Sequence, residues 1–253
     1  MYRKLPFTLP LLLLGCGGNG QINIIPVPVV AGAVYHYNDA QRLVNAHIIG
    51  KPATDPNVVN TLQINGRDIA LVGSGTQYDA AKRVYFQREV NRRDNSSIER
   101  ILQPNLNHSY AGMIGLGSNL DANGQARSME NHLFFQGQSP RQMPTEGRAL
   151  YNGSAFVIDG TDRQTSGNAR FAVDFGAKTI AGQLDNQVAS THNGVRTTVN
   201  GLNFIGGIRG TSFMGQNGSA QYTGAFYGDQ AAELAGVVRD EQRGFHGFYG
   251  ARR

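Results

Sequence analysis

The sequence has no tryptophan, a single cysteine and no long hydrophobic run, and only 16% of its 253 residues are charged. Each shortage excludes something. One cysteine cannot close an intramolecular disulfide, so a cross-linked scaffold is ruled out. The greasiest stretch, Leu5 to Leu14, falls well short of the roughly twenty residues a membrane-spanning helix requires. Catalytic signatures are missing too: there is no Gly-x-Ser-x-Gly elbow, no Gly-x-x-x-x-Gly-Lys phosphate loop and no pair of histidines at helical spacing. Asp55, Asp68, Glu89 and Glu130 are scattered carboxylates without a paired spacing, and no enzyme is expected. The net charge of +5 is dispersed over single arginines and short pairs such as Arg92-Arg93, with Arg252-Arg253 solvated at the end. Without a concentrated basic stripe, no nucleic-acid partner is expected.

The lone cysteine has a definite setting. Arg3 and Lys4 precede the apolar run, and the run ends in Leu13-Leu14-Gly15-Cys16. A basic start, a short greasy segment, a small residue and then a thiol are the parts of a bacterial lipoprotein signal, with Gly15 giving a peptidase access and Cys16 accepting diacylglycerol. Pro6 and Pro10 would distort a helix inside the run. Residues 1–15 are therefore expected to be a signal peptide, with Cys16 as the site of S-diacylglycerol and N-acyl attachment. Each buried methylene contributes about 0.8 kcal/mol, so a multiply acylated terminus is a lasting anchor to outer-membrane lipid. Gly17 stands where inner-membrane lipoproteins carry Asp, and by resemblance to that sorting rule an outer-membrane destination is favoured. Loss of Arg3 and Lys4 leaves 21 basic against 18 acidic residues, a net +3. Residues 16–30, with Pro26 and Pro28, read as an extended tether covering about 3.3 Å per residue, or alternatively as an edge strand on the first domain.

With 33 glycines, the composition suits a turn-rich β protein. The first half mixes signals. Asn38 to Asn45 reads as a short helix capped by Asn38, with Leu43 and Val44 inward, and Ser96 to Leu102 as another ending before Pro104. Asp68 to Val72 and Arg83 to Gln87 read as strands, with further apolar runs at Ser109 to Leu116 and His132 to Gln136. The second half is plainer. Ala169 to Phe175 alternates, placing Phe171, Val173 and Phe175 on one face and Arg170 and Asp174 on the other. Gly176-Ala177 then offers a turn into Lys178 to Leu184. Further strands are expected at Arg148 to Ile158, Val195 to Val199, Leu202 to Ile208, Gln221 to Gly228, Glu233 to Val238 and Gly244 to Gly250, about eight in all. Such short strands between Gly- and Asn-rich turns argue for an antiparallel barrel or sandwich, and glycines such as Gly182, Gly206, Gly224, Gly236 and Gly247 would permit the curvature of a small barrel.

Three blocks carry a family resemblance: Gly167 to Phe175 with Lys178-Thr179-Ile180-Ala181-Gly182; Gly224 to Gly228 with Ala232 to Gly236; and the ending Gly247-Phe248-Tyr249-Gly250-Ala251-Arg252. Over roughly residues 145–253 their order and spacing resemble the C-terminal barrel of transferrin-binding protein B. The resemblance implies a mainly β chain: an N-terminal α+β handle-like domain at 31–143 and an eight-stranded antiparallel β-barrel at 144–253. It implies display on the exterior of the outer membrane, exported by a translocator of the surface lipoprotein assembly modulator type that recognises the barrel. Transferrin-binding protein B itself has two lobes and is far longer, so iron capture is not carried over. Nearer in size are factor H-binding lipoproteins, haem-scavenging haemophilins and the lipoproteins with which nematode symbionts colonise their hosts.

The leading expectation is a surface module that binds an unidentified host molecule and supports colonisation or symbiosis, with Tyr110, Phe134, Phe135 and Arg141 as available anchors. Phe134 or Phe135 could equally belong to the core. The alternatives are a haem-binding lipoprotein for haem acquisition and a structural lipoprotein facing the periplasm. Of the histidines His36, His47, His108, His132, His192 and His246, the first four fall in the N-terminal domain, and Tyr35-His36-Tyr37 suggests haem ligation. No short regular spacing marks a metal site, and no cofactor is assigned. His246, in an expected barrel strand, either packs or faces water.

Overall fold

The computed structural model describes residues 29–38, 42–52, 58–159, 163–192 and 195–253. The lipoprotein signal, with Cys16, lies outside them. Among the described residues there is no α-helix.

The first half is an open antiparallel sheet. Its strands are β1 (Val29–Tyr37), β2 (Leu43–Pro52), β5 (Gln77–Asp79), β6 (Val84–Asn91), β7 (Ser96–Leu102), β8 (Ser109–Leu120) and β9 (Ala126–Gln138), and they lie in the order β2-β1-β9-β8-β7-β6-β5. A separate hairpin, β3 (Thr61–Ile64) and β4 (Arg67–Ala70), turns through Asn65 and Gly66, both with positive φ, as a tight two-residue hairpin turn demands. The hairpin covers one face of the sheet. Leu62, Ile64, Ile69 and Leu71 pack there on Val34, Leu102, Ile114 and Phe134. Gln136 Nε2 donates to Val59 O at 2.6 Å, and Arg100 Nε donates to Ala70 O at 2.7 Å, fastening both ends of the hairpin. The other face meets the barrel.

Two expectations in this half are corrected. Ser96–Leu102 is the strand β7, paired along its length with β6 and β8, not a helix. Its helix-like spacing of Ile98, Ile101 and Leu102 arises because both faces of the strand carry apolar neighbours, a situation that erases alternation. Leu43 and Val44 begin β2 instead of lying inward on a helix, and Val44 is 64% exposed. Asn38 does not cap a helix. Its Oδ1 accepts the Arg42 N–H at 2.9 Å while its own N–H donates to Arg42 O at 3.0 Å, closing the connection between β1 and β2. Strand β1 begins at Val29, so the sheet takes up the last two residues of the 16–30 stretch.

The second half is a closed eight-stranded antiparallel barrel: β10 (Arg148–Ile158), β11 (Gln164–Asp174), β12 (Thr179–His192), β13 (Val195–Arg209), β14 (Ser212–Asn217), β15 (Ala220–Tyr227), β16 (Glu233–Asp240) and β17 (Phe245–Arg252), with β17 returning to β10. Two readings of the sequence change: Val195–Val199 and Leu202–Ile208 are one strand, and Ser212–Asn217 is a strand the pattern did not mark. The bore is filled with side chains, including Tyr151, Phe171, Phe204, Tyr222, Phe226 and Tyr249. At Gly182 a Cβ would collide with the Phe204 ring, and at Gly236 with the Thr223 carbonyl and the Tyr249 hydroxyl. These glycines make room for aromatic rings and neighbouring strands inside a narrow barrel.

Burial shows where the halves meet. Along β11 it alternates strictly near the end, whereas β16 and β17 are buried on nearly every residue. The outward residues Phe156, Ile158, Ala225, Tyr227, Ala235, Val237 and Phe248 pack on Ala33, Tyr35, Tyr37, Ala111, Met113, Leu133 and Phe135 of the sheet. A buried carboxylate pins this seam: Glu233 accepts the Asn107 N–H at 2.6 Å, the His108 N–H at 2.9 Å and the Ser109 hydroxyl at 2.9 Å. Buried carboxylates persist when their lone pairs are filled in this way.

Candidate binding site

Alternation along β1 splits the Tyr35-His36-Tyr37 triplet. Tyr35 and Tyr37 turn to the barrel, where the Arg239 guanidinium lies 5.5 Å from the Tyr35 ring centre and Tyr37 stacks on His246 at 5.0 Å. His36 turns to the opposite face. There it meets His132 of β9, its register partner, with the two Nδ1 atoms 2.7 Å apart, and its ring lies 4.9 Å from that of His47 on β2. His36 and His132 are separated by 96 positions in sequence, so only the pairing of β1 with β9 unites them.

Burial and then the nearby His47 lower the His36 pKa, while burial and then His36 push His132 down to about 4. Both are therefore neutral near pH 7, and one Nδ1–H donates to the other Nδ1. Glu130 Oε2 lies 3.8 Å from His132 Nε2, too far for a hydrogen bond. Among the described residues no three His, Cys, Asp or Glu side chains are placed to hold a metal ion.

Beside His36 runs an open groove of about 410 Å³. Val34 and His36 form its floor, His47 to Lys51 of β2 one wall, and Gln63, Asn65 and Gly66 at the hairpin tip the other. The hairpin-tip wall of this groove does not fit the apolar face of a porphyrin. A porphyrin needs two apolar walls and one imidazole nitrogen free for iron. Here one wall is an amide-rich turn, and the Nδ1 atoms of His36 and His132 bond each other while their Nε2 atoms are buried without a hydrogen-bond partner.

Of the expected anchors, Phe134 and Phe135 are both core, under the hairpin and in the seam respectively. They are corrected to structural residues, because adjacent positions of a strand buried on both faces have nowhere else to point. Tyr110 is half-buried and donates its hydroxyl to Asn60 Oδ1 at 2.8 Å. Arg141 is exposed. His108 is half-buried, and His246 packs in the seam, with its pKa lowered to about 4 by burial. The His192 side chain lies outside the described residues.

The sequence reading did not single out β2. Its residues Val44, Ala46 and Ile48 are exposed, Ile48 at 84%, and it is the outermost strand of the sheet. The run of Val44, Ile48 and Ile49 was a β-propensity signal, masked by the capping pattern at Asn38.

These features define an all-β protein in which an open, partly hairpin-covered sheet rides on a filled barrel. Residues 143–253 match the family model described as the C-lobe and N-lobe beta barrels of Tf-binding protein B. The chain is similar to transferrin-binding protein B of Neisseria meningitidis serogroup B, 26% identical over 159 residues, which cover 51% of this chain and 22% of that protein. It is also similar to the neisserial heparin binding antigen of N. meningitidis strain MC58, 29% identical over 131 residues, covering 48% of this chain and 25% of that one. In structure it resembles transferrin binding protein B of Haemophilus parasuis Hp5, with a TM-score of 0.57 at 20% identity, covering 88% of this chain and 44% of the other. The chain thus spans less than half the length of each of these relatives. The fold, sheet and barrel together, is that of one transferrin-binding protein B-like lobe.

Proposed function

We propose that this chain is a lipid-anchored binding module on the outer surface of a bacterium, in which the barrel is a rigid display scaffold and the sheet domain recognises a host macromolecule. The observation that carries the reading is the division of labour in the fold. The barrel bore is filled by a cluster of buried aromatic and aliphatic side chains, while the sheet domain presents the groove and the exposed β2. Two relatives that share sequence with this chain are named for different ligands, transferrin and heparin, which supports a common framework with separately chosen partners. Binding rather than catalysis is the activity assigned.

In this reading residues 1–15 are the signal, Cys16 bears the acyl groups, 16–30 spans from membrane to body, and 31–143 and 144–253 are the recognition and barrel domains. Export runs through a translocator of the surface lipoprotein assembly modulator type, and the outcome is host colonisation or symbiosis. A band of exposed apolar side chains, Leu150, Ala172, Ala181 and Ile205, crosses four adjacent barrel strands between polar rows and offers such an exporter an apolar contact. Protease shaving of intact cells tests the reading: the protein should be cleaved at the surface and lost in a Cys16→Ala variant. Full protection on intact cells would place it in the periplasm and overturn the proposal. Mass spectrometry of the native N-terminus should find a thioether-linked diacylglycerol on Cys16.

A further inference from the structure

The open sheet has two ends, and they are treated differently. At one end β5 is three residues long, and the turn that follows it is tied to the barrel, with Arg83 Nη1 donating to Asn168 Oδ1 at 2.9 Å and the Ser166 hydroxyl donating to the Lys82 carbonyl. At the other end β2 runs for ten residues, and among the described residues no strand lies beyond it. Alternate residues of such a strand aim N–H and C=O groups outward, ready for another strand. Edge strands are ordinarily blunted by a charge, a proline or a bulge in mid-strand. Here Lys51 and Pro52 come only at the end of β2, the register shift lies at its start, and the middle is Asn45-Ala46-His47-Ile48-Ile49.

The two sides of β2 differ in chemistry. Ala46 and Ile48 share one side and are exposed and apolar. The groove beyond the strand, whose rim Ile48 also reaches, is lined by Val34, His36, His47, Ile49 and Lys51, with Lys51 as its cation and no carboxylate. A strand laid along β2 would meet apolar surface on one side and, on the other, a groove whose cation is Lys51. Resting on the binding-module reading, we propose that β2 docks an extended segment of the partner protein as an eighth strand. Apolar side chains of that segment alternate with carboxylates, the first over Ala46 and Ile48 and the second over the groove at His47 and Lys51.

Hydrogen exchange on the full-length protein tests this, with an acetylated and amidated eight-residue peptide alternating valine and glutamate as probe and its valine–lysine counterpart as control. The valine–glutamate peptide should slow exchange of the Val44–Lys51 amides at least tenfold and bind at least tenfold more tightly than the control. Ile48→Lys, which places a charge on the edge, and Lys51→Glu, which reverses the groove charge, should each weaken binding at least tenfold. Equal binding of both peptides, slowing confined to other strands, or β2 amides already slow without peptide would overturn the proposal. So would β2 protection that grows with protein concentration alone, since the occupant would then be a second copy of this chain. Surface cleavage on intact cells without peptide-dependent protection of β2 removes strand addition alone, whereas absence of surface cleavage removes the binding-module reading whatever the peptide does.

Discussion

The barrel and the sheet domain are made of the same antiparallel strands, yet one closes on itself and the other stops at two ends. Closure satisfies every strand edge and lets a single interior, packed with aromatic rings, carry stability. The open sheet instead borrows cover: a hairpin on one face, the barrel on the other and, among the described residues, no strand beyond β2. Rigidity and availability are thus assigned to different halves of one chain.

This contrast can be broken at its strong side first. Phe226 is fully buried and meets Tyr151, Phe175 and Phe213 in the bore. Phe226→Ala should cost about 3–5 kcal/mol in chemical denaturation, the range for emptying an aromatic site in a tight core. A loss under 1 kcal/mol would mean that the barrel is not the stable half. Next comes the seam. Glu233→Ala leaves the Asn107 and His108 N–H groups and the buried Ser109 hydroxyl without their acceptor and should cost about 2–4 kcal/mol. Limited proteolysis should then release the sheet domain before the barrel is cut.

A smaller effect separates the halves by pH. His132 in the sheet and His246 in the seam have their pKa lowered by burial from 6.5 to about 4 in the folded chain, and His36 is lowered in the same direction. Between those values the unfolded chain binds protons that the folded chain refuses. Stability is therefore whole above about pH 6.5, declines as the pH falls toward 4 and levels off below. About 2–3 kcal/mol is expected from each of His132 and His246 over that window. His246→Phe should flatten the denaturation midpoint between pH 7 and pH 4.5 by about its own share, and an unchanged slope would show that the seam does not bury a neutral imidazole. Smallest of all, Ile48→Lys should alter stability by no more than about 0.5 kcal/mol, because the side chain is already in water. A larger loss would mean that β2 is covered by the protein itself.

The same contrast governed what could be read in advance. Strand β11 shows its apolar and polar sides in turn because one faces the bore and the other water, and its register followed from the pattern of Phe171, Val173 and Phe175. The eight barrel strands were counted correctly through two errors that cancel. Val195–Val199 and Leu202–Ile208 were read as two strands where β13 is one, and Ser212–Asn217, with Phe213 as its one fully buried residue, was too short and polar to stand out. In the sheet domain β7, β8 and β9 lie between the hairpin and the barrel, and apolar residues on both sides removed the period of two. Hence Ser96–Leu102 looked helical, and Phe134 and Phe135 looked available. The groove was hidden for another reason: it joins His36, His47 and the hairpin tip, whose neighbourhood depends on β1 lying between β2 and β9.

Local order along the chain was enough to specify short antiparallel strands in a barrel or sandwich at its C-terminal end, because alternation and turn glycines act between residues a few positions apart, and the family resemblance pointed to the closed barrel. Which strands end the sheet, which histidines meet, and which aromatic residues vanish into the seam were decided only when distant segments paired and the two halves packed. Burial and edge exposure are properties of that assembly, since a side chain is inside or outside only relative to what comes to lie against it.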